Sequence, residues 1–465
     1  MTATRAPLDD YWTAHGGARG VARAVELGAV DAADLAAAAG TAIERHNASL
    51  AALSTIFTPP VRWGSARSSA ALAGLPFVVK ENMDVAGHPT TAGCAWLLDR
   101  PVAATHAGVV SAALSAGAQL VGRGNMPPLG TAATTVNPYF GTARNPRDPS
   151  ASPGGSSGGT AAAVAAGMAL FGVGSDTGGS VLIPAALTGL YGYRPSTGRL
   201  PSDGVTPFST SLDTPGLLCR DGADLRDVAA ALTSRTSVAA PWGTVTDDDR
   251  ASPWEPAGLI GRRRRMRVAV AGGWFDRDVA PSVRAGRDRF VRTLVSSHDV
   301  EIEPVELNQT EAIFDAIRTL VWAEAAVAWQ ALLDGSGPHP VDERVLRRVE
   351  AGRSLSAGDY IAARSRRGVW IATLSKLFTQ FDAIVSCTVP REAPAAGDDD
   401  EAVTEELTRF TYPWCLAGLP SVSLPVSPED GEPAVGIHLT MPRHTDRHLL
   451  DLVTRWTFPQ DGERR

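Results

Sequence analysis

Apolar residues recur along this chain at two spacings, and the change from one to the other marks out its elements. Between residues 18 and 70 they return every three or four positions in an Ala-rich background, clearest over 31–46, which predicts helices. Residues 75–79, Leu-Pro-Phe-Val-Val, are an unbroken apolar run too short for a helix, and they read as a buried strand over 76–80 that ends on Lys80. A Gly/Thr-rich loop at 87–93, a helix near 106–116 and a short strand at 119–122 follow. The stretch 137–157 is rich in Pro, Gly, Asn and Ser without periodicity, and loops of that length inside a compact domain tend to be functional. Then come a helix at 158–168, a strand at 170–174, and a further helix beginning near Ser180.

From 267 onward the pattern predicts a strand at 267–271, helices at 280–296, 310–333 and 359–380, strands at 383–386, 421–424 and 435–440, and a last helix at 447–456. Alternating strands and helices of this kind imply an α/β fold whose mixed β-sheet core is flanked by helices on both faces, and 465 residues allow two or three domains or one large α/β domain. No internal repeat interrupts it. Residues 236–262, rich in Pro, Gly and Asp, read as an exposed connector, and the acidic run 398–401 as a mobile loop.

Composition narrows the function. With 44% hydrophobic and 20% charged residues, the 465-residue chain can bury a large core. A net charge of −7 argues against nucleic acid as a partner. The one basic cluster, Arg262 to Arg265 with Arg267, lacks the aromatic interleaving of a nucleic-acid site and reads as a solvated lead into the next strand. Four scattered cysteines, with no CxxC pair, fit neither a metal site nor a disulfide framework and point to a reducing, cytoplasmic compartment. No signal-peptide pattern and no long apolar span are read, so no membrane partner is expected.

Only two of the 43 Lys and Arg residues are lysines, Lys80 and Lys376. In a chain that prefers Arg, a retained Lys hints at chemistry that a guanidinium, which does not deprotonate in proteins, cannot perform. Lys376 falls in a helical stretch and reads as a surface residue, whereas Lys80 closes the buried strand.

Two Gly/Ser clusters stand out: Gly154-Gly155-Ser156-Ser157-Gly158-Gly159 and Asp176-Thr177-Gly178-Gly179-Ser180. Glycines beside a serine leave backbone N–H groups unshielded, and such groups favour the negative oxygen of a tetrahedral intermediate. Residues 154–159 match the GxxxxG of a P-loop, but Thr160 stands where the phosphate-binding Lys belongs. They also satisfy G-x-S-x-G, yet the three prolines within 145–153 exclude the central strand that a nucleophile elbow requires. The S-x-x-K pattern fails because Phe77 and Thr373 precede the lysines. None of the nine histidines sits in a motif, and His88 and His106, near the loops, read as ordinary polar residues. What is left is a serine activated by a distant lysine. Burial supports this, because desolvation favours the neutral amine that can accept a proton. Ser156 and Ser157 also read as helix caps.

The runs 74–82, 154–159, 174–180 and 418–425, in that order, resemble the amidase signature family, and the resemblance extends over about residues 20–456. The segment 194–216 is most similar to aryl-acetamide hydrolases of the mandelamide and indoleacetamide type. The resemblance implies a catalytic triad of Lys80 as base, Ser156 as bridging serine next to a cis peptide, and Ser180 as nucleophile. It further implies an oxyanion hole from the N–H groups of Thr177, Gly178 and Gly179, with Ser157 and Asp176 as supporting hydrogen-bond partners. No cofactor and no metal are implied. The substrate would be a small carboxylic amide, apolar or aryl, cleaved to acid plus ammonia or amine, and a homodimer is left open. Within residues 1–465 it divides the single domain into an N-terminal helical part (about 1–70), a catalytic core (71–220), a variable substrate-pocket region (236–380) and closing strands and helix (381–457). Trp322 lies at the edge of an apolar stripe of Phe314, Ile317, Val321 and Ala325 and is the candidate pocket residue, although core packing is the stripe's more ordinary role.

The chain departs from the family pattern at three places. Leu182 stands where an Arg is usual, Glu81 replaces an Asp, and Cys387 replaces a Pro. The first removes a charge close to the active-site helix and keeps an acyl-transferring or noncatalytic relative open as an alternative; the other alternative is an amidotransferase-type A subunit that delivers ammonia to a partner.

Overall fold

In the computed structural model, which describes residues 7–62, 70–233, 265–307, 310–334, 340–398, 401–426 and 434–456, the strands divide sharply into two kinds. Pro76–Lys80 (β2), Gln119–Gly124 (β3), Phe171–Asp176 (β4), Tyr191–Arg194 (β5), Thr214–Cys219 (β6), Ala383–Cys387 (β9), Ser421–Val426 (β10) and Val435–Thr440 (β11) are buried along their whole length. Leu53–Val61 (β1) and Val300–Leu307 (β8) mix buried and exposed positions, with Met266–Gly273 (β7) between the two kinds. The reason is position: all belong to one 11-stranded sheet in the order β1-β3-β2-β4-β6-β5-β10-β11-β9-β7-β8, so β1 and β8 are its edges. Strands covered on both faces read as unbroken apolar runs, while edge strands keep polar residues toward water.

The sheet is mixed. β2 runs parallel to both β3 and β4, and β7 to both β8 and β9, with the remaining pairs antiparallel. Fifteen α-helices among the described residues pack around it, giving the expected single α/β domain with a mixed sheet between helical layers.

Several boundaries differ from expectation, each for a physical reason. The helical N-terminal part stops at Leu50, because Leu53-Ser-Thr-Ile-Phe-Thr-Pro-Pro-Val61 forms edge strand β1. Its Pro59 and Pro60 are tolerated only because an edge strand has one unpaired side. β8 carries an apolar/charged alternation, Val-Glu-Ile-Glu-Pro-Val-Glu-Leu, typical of an edge; it was not expected from the sequence, nor were β5 and β6. The helix expected over 310–333 breaks at Trp329 into Thr310–Ala328 and Gln330–Leu333. The acidic run ends in structure: Glu401 begins the helix Glu401–Thr408, while Asp399 and Asp400 lie outside the described residues. The 236–262 connector and Arg262 to Arg264 also lie outside them. Among the described residues no helix is long and apolar enough to cross a membrane. All four cysteines are free and buried.

Candidate active site

The site is assembled where the parallel strands β2 and β4 end. Lys80 is the last residue of β2 and Asp176 the last of β4, and the two strands are paired through Val79 and Val173. In α/β sheets ligands bind outside the carboxyl ends of such strands. Glycines allow the close approach that the site needs. A Cβ on Gly174 would lie 2.7 Å from Ser157 Oγ and 2.8 Å from Val181 Cγ2, so β4 can approach the 157–165 segment only without a side chain there. Gly179 has φ +118, a left-handed conformation that favours glycine.

Lys80 is 1% exposed. Its Nζ lies 2.6 Å from Ser156 Oγ and 2.9 Å from Ser175 Oγ, with the Ser175 carbonyl at 3.4 Å. Burial pulls the lysine from 10.5 down to about 7, against the opposing attraction of the Asp176 and Asp213 carboxylates. Ser156 follows the cis Gly155-Ser156 peptide. The first two members of the expected triad are therefore brought into hydrogen-bonding contact from positions 76 residues apart in sequence.

Ser180 is half-buried, and its hydroxyl makes no hydrogen bond among the described residues. The structure does not bring it within hydrogen-bonding distance of Ser156, but it sets the two in adjoining cavities that share Gly130, Thr177 and Phe208 in their walls. The Ser157 N–H donates to the Ser180 carbonyl at 3.1 Å, tying the two Gly/Ser loops together.

Asp176 organises the turn that leads to Ser180. Its carboxylate accepts from Gly179 N–H and Val181 N–H, both at 2.8 Å, and from the Cys415 thiol at 3.4 Å. It also forms a fully buried ion pair with Arg194 at 3.2 Å. Asp176 thus has a cationic partner from β5, while Leu182 is buried as an apolar residue. The three expected oxyanion donors are not equivalent. Gly179 N–H is committed to Asp176, whereas the N–H groups of Thr177, Gly178 and Ser180 have no acceptor among the described residues.

Ser157 sits at the N-cap of the helix Gly158–Ala165 but does not cap it with its side chain; its Oγ donates to the Ser175 carbonyl at 3.3 Å. Two further residues were missed by sequence reasoning. Ser175 touches Lys80, and Asn82 Nδ2 donates to Ser175 Oγ at 3.1 Å. Both lie inside the 74–82 and 174–180 runs, so proximity to the motif serines was the available signal. Asp213 accepts from Thr177 Oγ1 and from the N–H groups of Phe208 and Ser209, and burial raises its carboxyl to about 6. Glu81 is buried and paired with Arg123 at 3.1 Å.

Trp322 lines an outer cavity of about 350 Å³ rather than the wall beside Ser180, and its ring lies under Arg318 and Arg348. Ile317, Val321 and Ala325 of its stripe are buried in the core, and of these Val321 also reaches the Ser180 cavity. His88 packs edge-on against Phe57, and His106 accepts from Ala86 N–H, both outside this cluster.

A buried lysine held against a Gly/Ser-rich loop at the carboxyl ends of parallel strands makes this the candidate active site of an α/β protein. The chain belongs to the amidase (amidase signature) family, whose family model matches residues 35–450. Among its relatives it is 32% identical to the A subunit of the glutamyl-tRNA(Gln) amidotransferase of Koribacter versatilis, covering 78% of this chain and 79% of the relative. It is 31% identical to AtzE, a component of the 1-carboxybiuret hydrolase of Pseudomonas sp. (strain ADP), covering 79% and 80%. A solved amidase structure superposes with a TM-score of 0.79 at 26% identity, over 95% of this chain and 98% of that one.

Proposed function

We propose that the chain is an amidohydrolase that cleaves a small carboxylic amide through a Ser180 acyl-enzyme. The observation that carries this is the 2.6 Å contact between the buried Lys80 amine and Ser156 Oγ, on the wall next to the Ser180 cavity. With its ionisation lowered to about 7, Lys80 is largely neutral in weakly alkaline solution. The neutral amine accepts the Ser156 proton while Ser156 Oγ takes the proton of Ser180, whose oxygen attacks the amide carbonyl. The unengaged N–H groups of Thr177, Gly178 and Ser180 face the oxyanion, and Gly179 N–H holds the turn through Asp176. Returned along the same path, the proton leaves with ammonia or amine, and water then releases the acid. Catalytic hydrogen bonds are often long in free enzymes, so a gap between Ser156 and Ser180 is compatible with the relay. Phe208, Val321 and Tyr412 give the cavity apolar walls, which supports an apolar spacer next to the amide.

Ser180→Ala tests the assignment. It should abolish ammonia release and labelling by a fluorophosphonate, with the fold intact by circular dichroism. Labelling at Ser156 would sink it.

A second reading, ammonia delivery to a partner, is favoured by the similarity to amidotransferase A subunits.

A further inference from the structure

Lys80, Ser156 and Ser175 line a chamber of about 10 Å³, close to the space that one water needs. Among the described residues Ser156 lines this chamber and not the Ser180 cavity, although the two share Gly130, Thr177 and Phe208. Buried packing keeps the chamber small. Met126 and Leu129 in its wall are 1% and 4% exposed, and a Cβ on Gly130 would come within 3.3 Å of Ser156 Oγ. Asn82 also lines it and is 6% exposed. Only half of this side chain is used. Its Nδ2 donates to Ser175 Oγ at 3.1 Å and to the Thr206 carbonyl at 3.5 Å, while its Oδ1 accepts nothing among the described residues. A buried carbonyl oxygen left unpaired is costly, so a hydrogen-bond donor belongs within its reach.

From this placement we infer that the chamber receives the leaving nitrogen, that Asn82 Oδ1 accepts one of its N–H groups, and that the substrate is a primary amide whose product is ammonia. The inference rests on the serine-amidase reading and adds the class of leaving group to it. In that relay the nitrogen takes its proton from Ser156 Oγ, so it must lie within hydrogen-bond reach of Ser156, on the chamber side. Ser180 Oγ bonds to the carbonyl carbon, the C–N bond breaks, and the nitrogen departs as ammonia with the proton that Ser180 gave up. Water, similar in size and also a donor, then takes the same place. It donates one hydrogen to Asn82 Oδ1 and passes the other through Ser156 to Lys80 as its oxygen bonds to the acyl carbon. The ester bond to Ser180 breaks, the serine recovers that proton, and the acid is released. A substituent on the amide nitrogen would remove an N–H and need volume that the chamber lacks.

The test compares propionamide with N-methylpropionamide, which differ by one methyl on the leaving nitrogen. Wild-type kcat/KM should favour propionamide by about 10- to 100-fold, the range that forcing one extra methyl into a packed site implies. Asn82→Ala removes the acceptor and opens the chamber, so it should bring the ratio to within about threefold, chiefly by lowering propionamide turnover. A purely structural role for Asn82 would lower both substrates equally. That result, or a wild-type ratio within about threefold, overturns the inference. Should Asn82→Ala fail to fold, Met126→Ala decides, because it enlarges the chamber without touching its polar atoms. A gain of N-methylpropionamide relative to propionamide supports the size limit, and an unchanged ratio overturns it. A fluorophosphonate-labelled Ser180 with equal turnover of the two amides refutes the chamber's role alone, while an unlabelled Ser180 refutes the amidase reading itself.

Discussion

At the scale of single residues the proposed chemistry turns on one lysine. Lys80 is enclosed by β2, β4 and the 154–157 loop, so its amine meets Ser156 and Ser175 instead of water. Burial favours the neutral form, so the amine proposed as the base is neutral above about pH 7 and protonated, hence unable to accept, below it. Accordingly kcat/KM should rise with pH through about 7 and then level off. Lys80→Arg keeps charge and much of the volume but cannot accept a proton, so it should lose about 10²–10⁴-fold in kcat, as Lys80→Ala does. A correctly folded Lys80→Arg enzyme with near-native activity would show that the lysine is only a structural cation. The pairing of Asp176 belongs to this scale too. Leu182 looks in sequence like a missing charge, but Arg194 satisfies the carboxylate from another strand. An unpaired buried Asp176 would cost several kcal/mol, so Arg194 helps to hold the turn before Ser180.

At the scale of elements, glycine positions separate helices that must approach the sheet from helices that need not. Gly174 of β4 faces Ser157 and Val181 so closely that a methyl group displaces one of them. Gly40, within the helix Ala32–Leu50, has nothing within 4 Å of an added Cβ. Gly174→Ala should therefore lower stability by about 1–3 kcal/mol through overpacking, and activity with it. Gly40→Ala should raise stability by about 0.5–1 kcal/mol by improving helix propensity and restricting the unfolded chain. Urea unfolding of the two variants checks both signs, and a destabilised Gly40→Ala would contradict the packing described.

At the scale of the whole molecule, the question is whether the chain acts by itself. Lys80, Ser156 and Ser180 line adjoining cavities, and Arg348 and Trp322 line the outer one, so the proposed amidase reading needs no group beyond these residues for its proton relay. The isolated chain should accordingly release free ammonia from small amides in buffer. Ammonia release from glutamine only, and only with a partner present, would instead favour the amidotransferase reading.

Local pattern was enough to determine the α/β class, the buried strand ending on Lys80, and the two Gly/Ser loops, because burial and turn chemistry are written in residue type and period. The unusual retention of two lysines singled out Lys80 without any structure. Edge strands β1 and β8 and the short inner strands β5 and β6 were harder to read, since their limits depend on which neighbours cover them. Only the tertiary structure decided that Ser175 and Asn82 complete the lysine's surroundings, that Arg194 neutralises Asp176, that Gly179 N–H is already engaged, and that Arg348 alone among the described inner-cavity residues is charged. The contacts of Ser175 with Lys80 and Asn82 span 95 and 93 residues, and such contacts follow from the packing of strands and helices, which no local periodicity encodes.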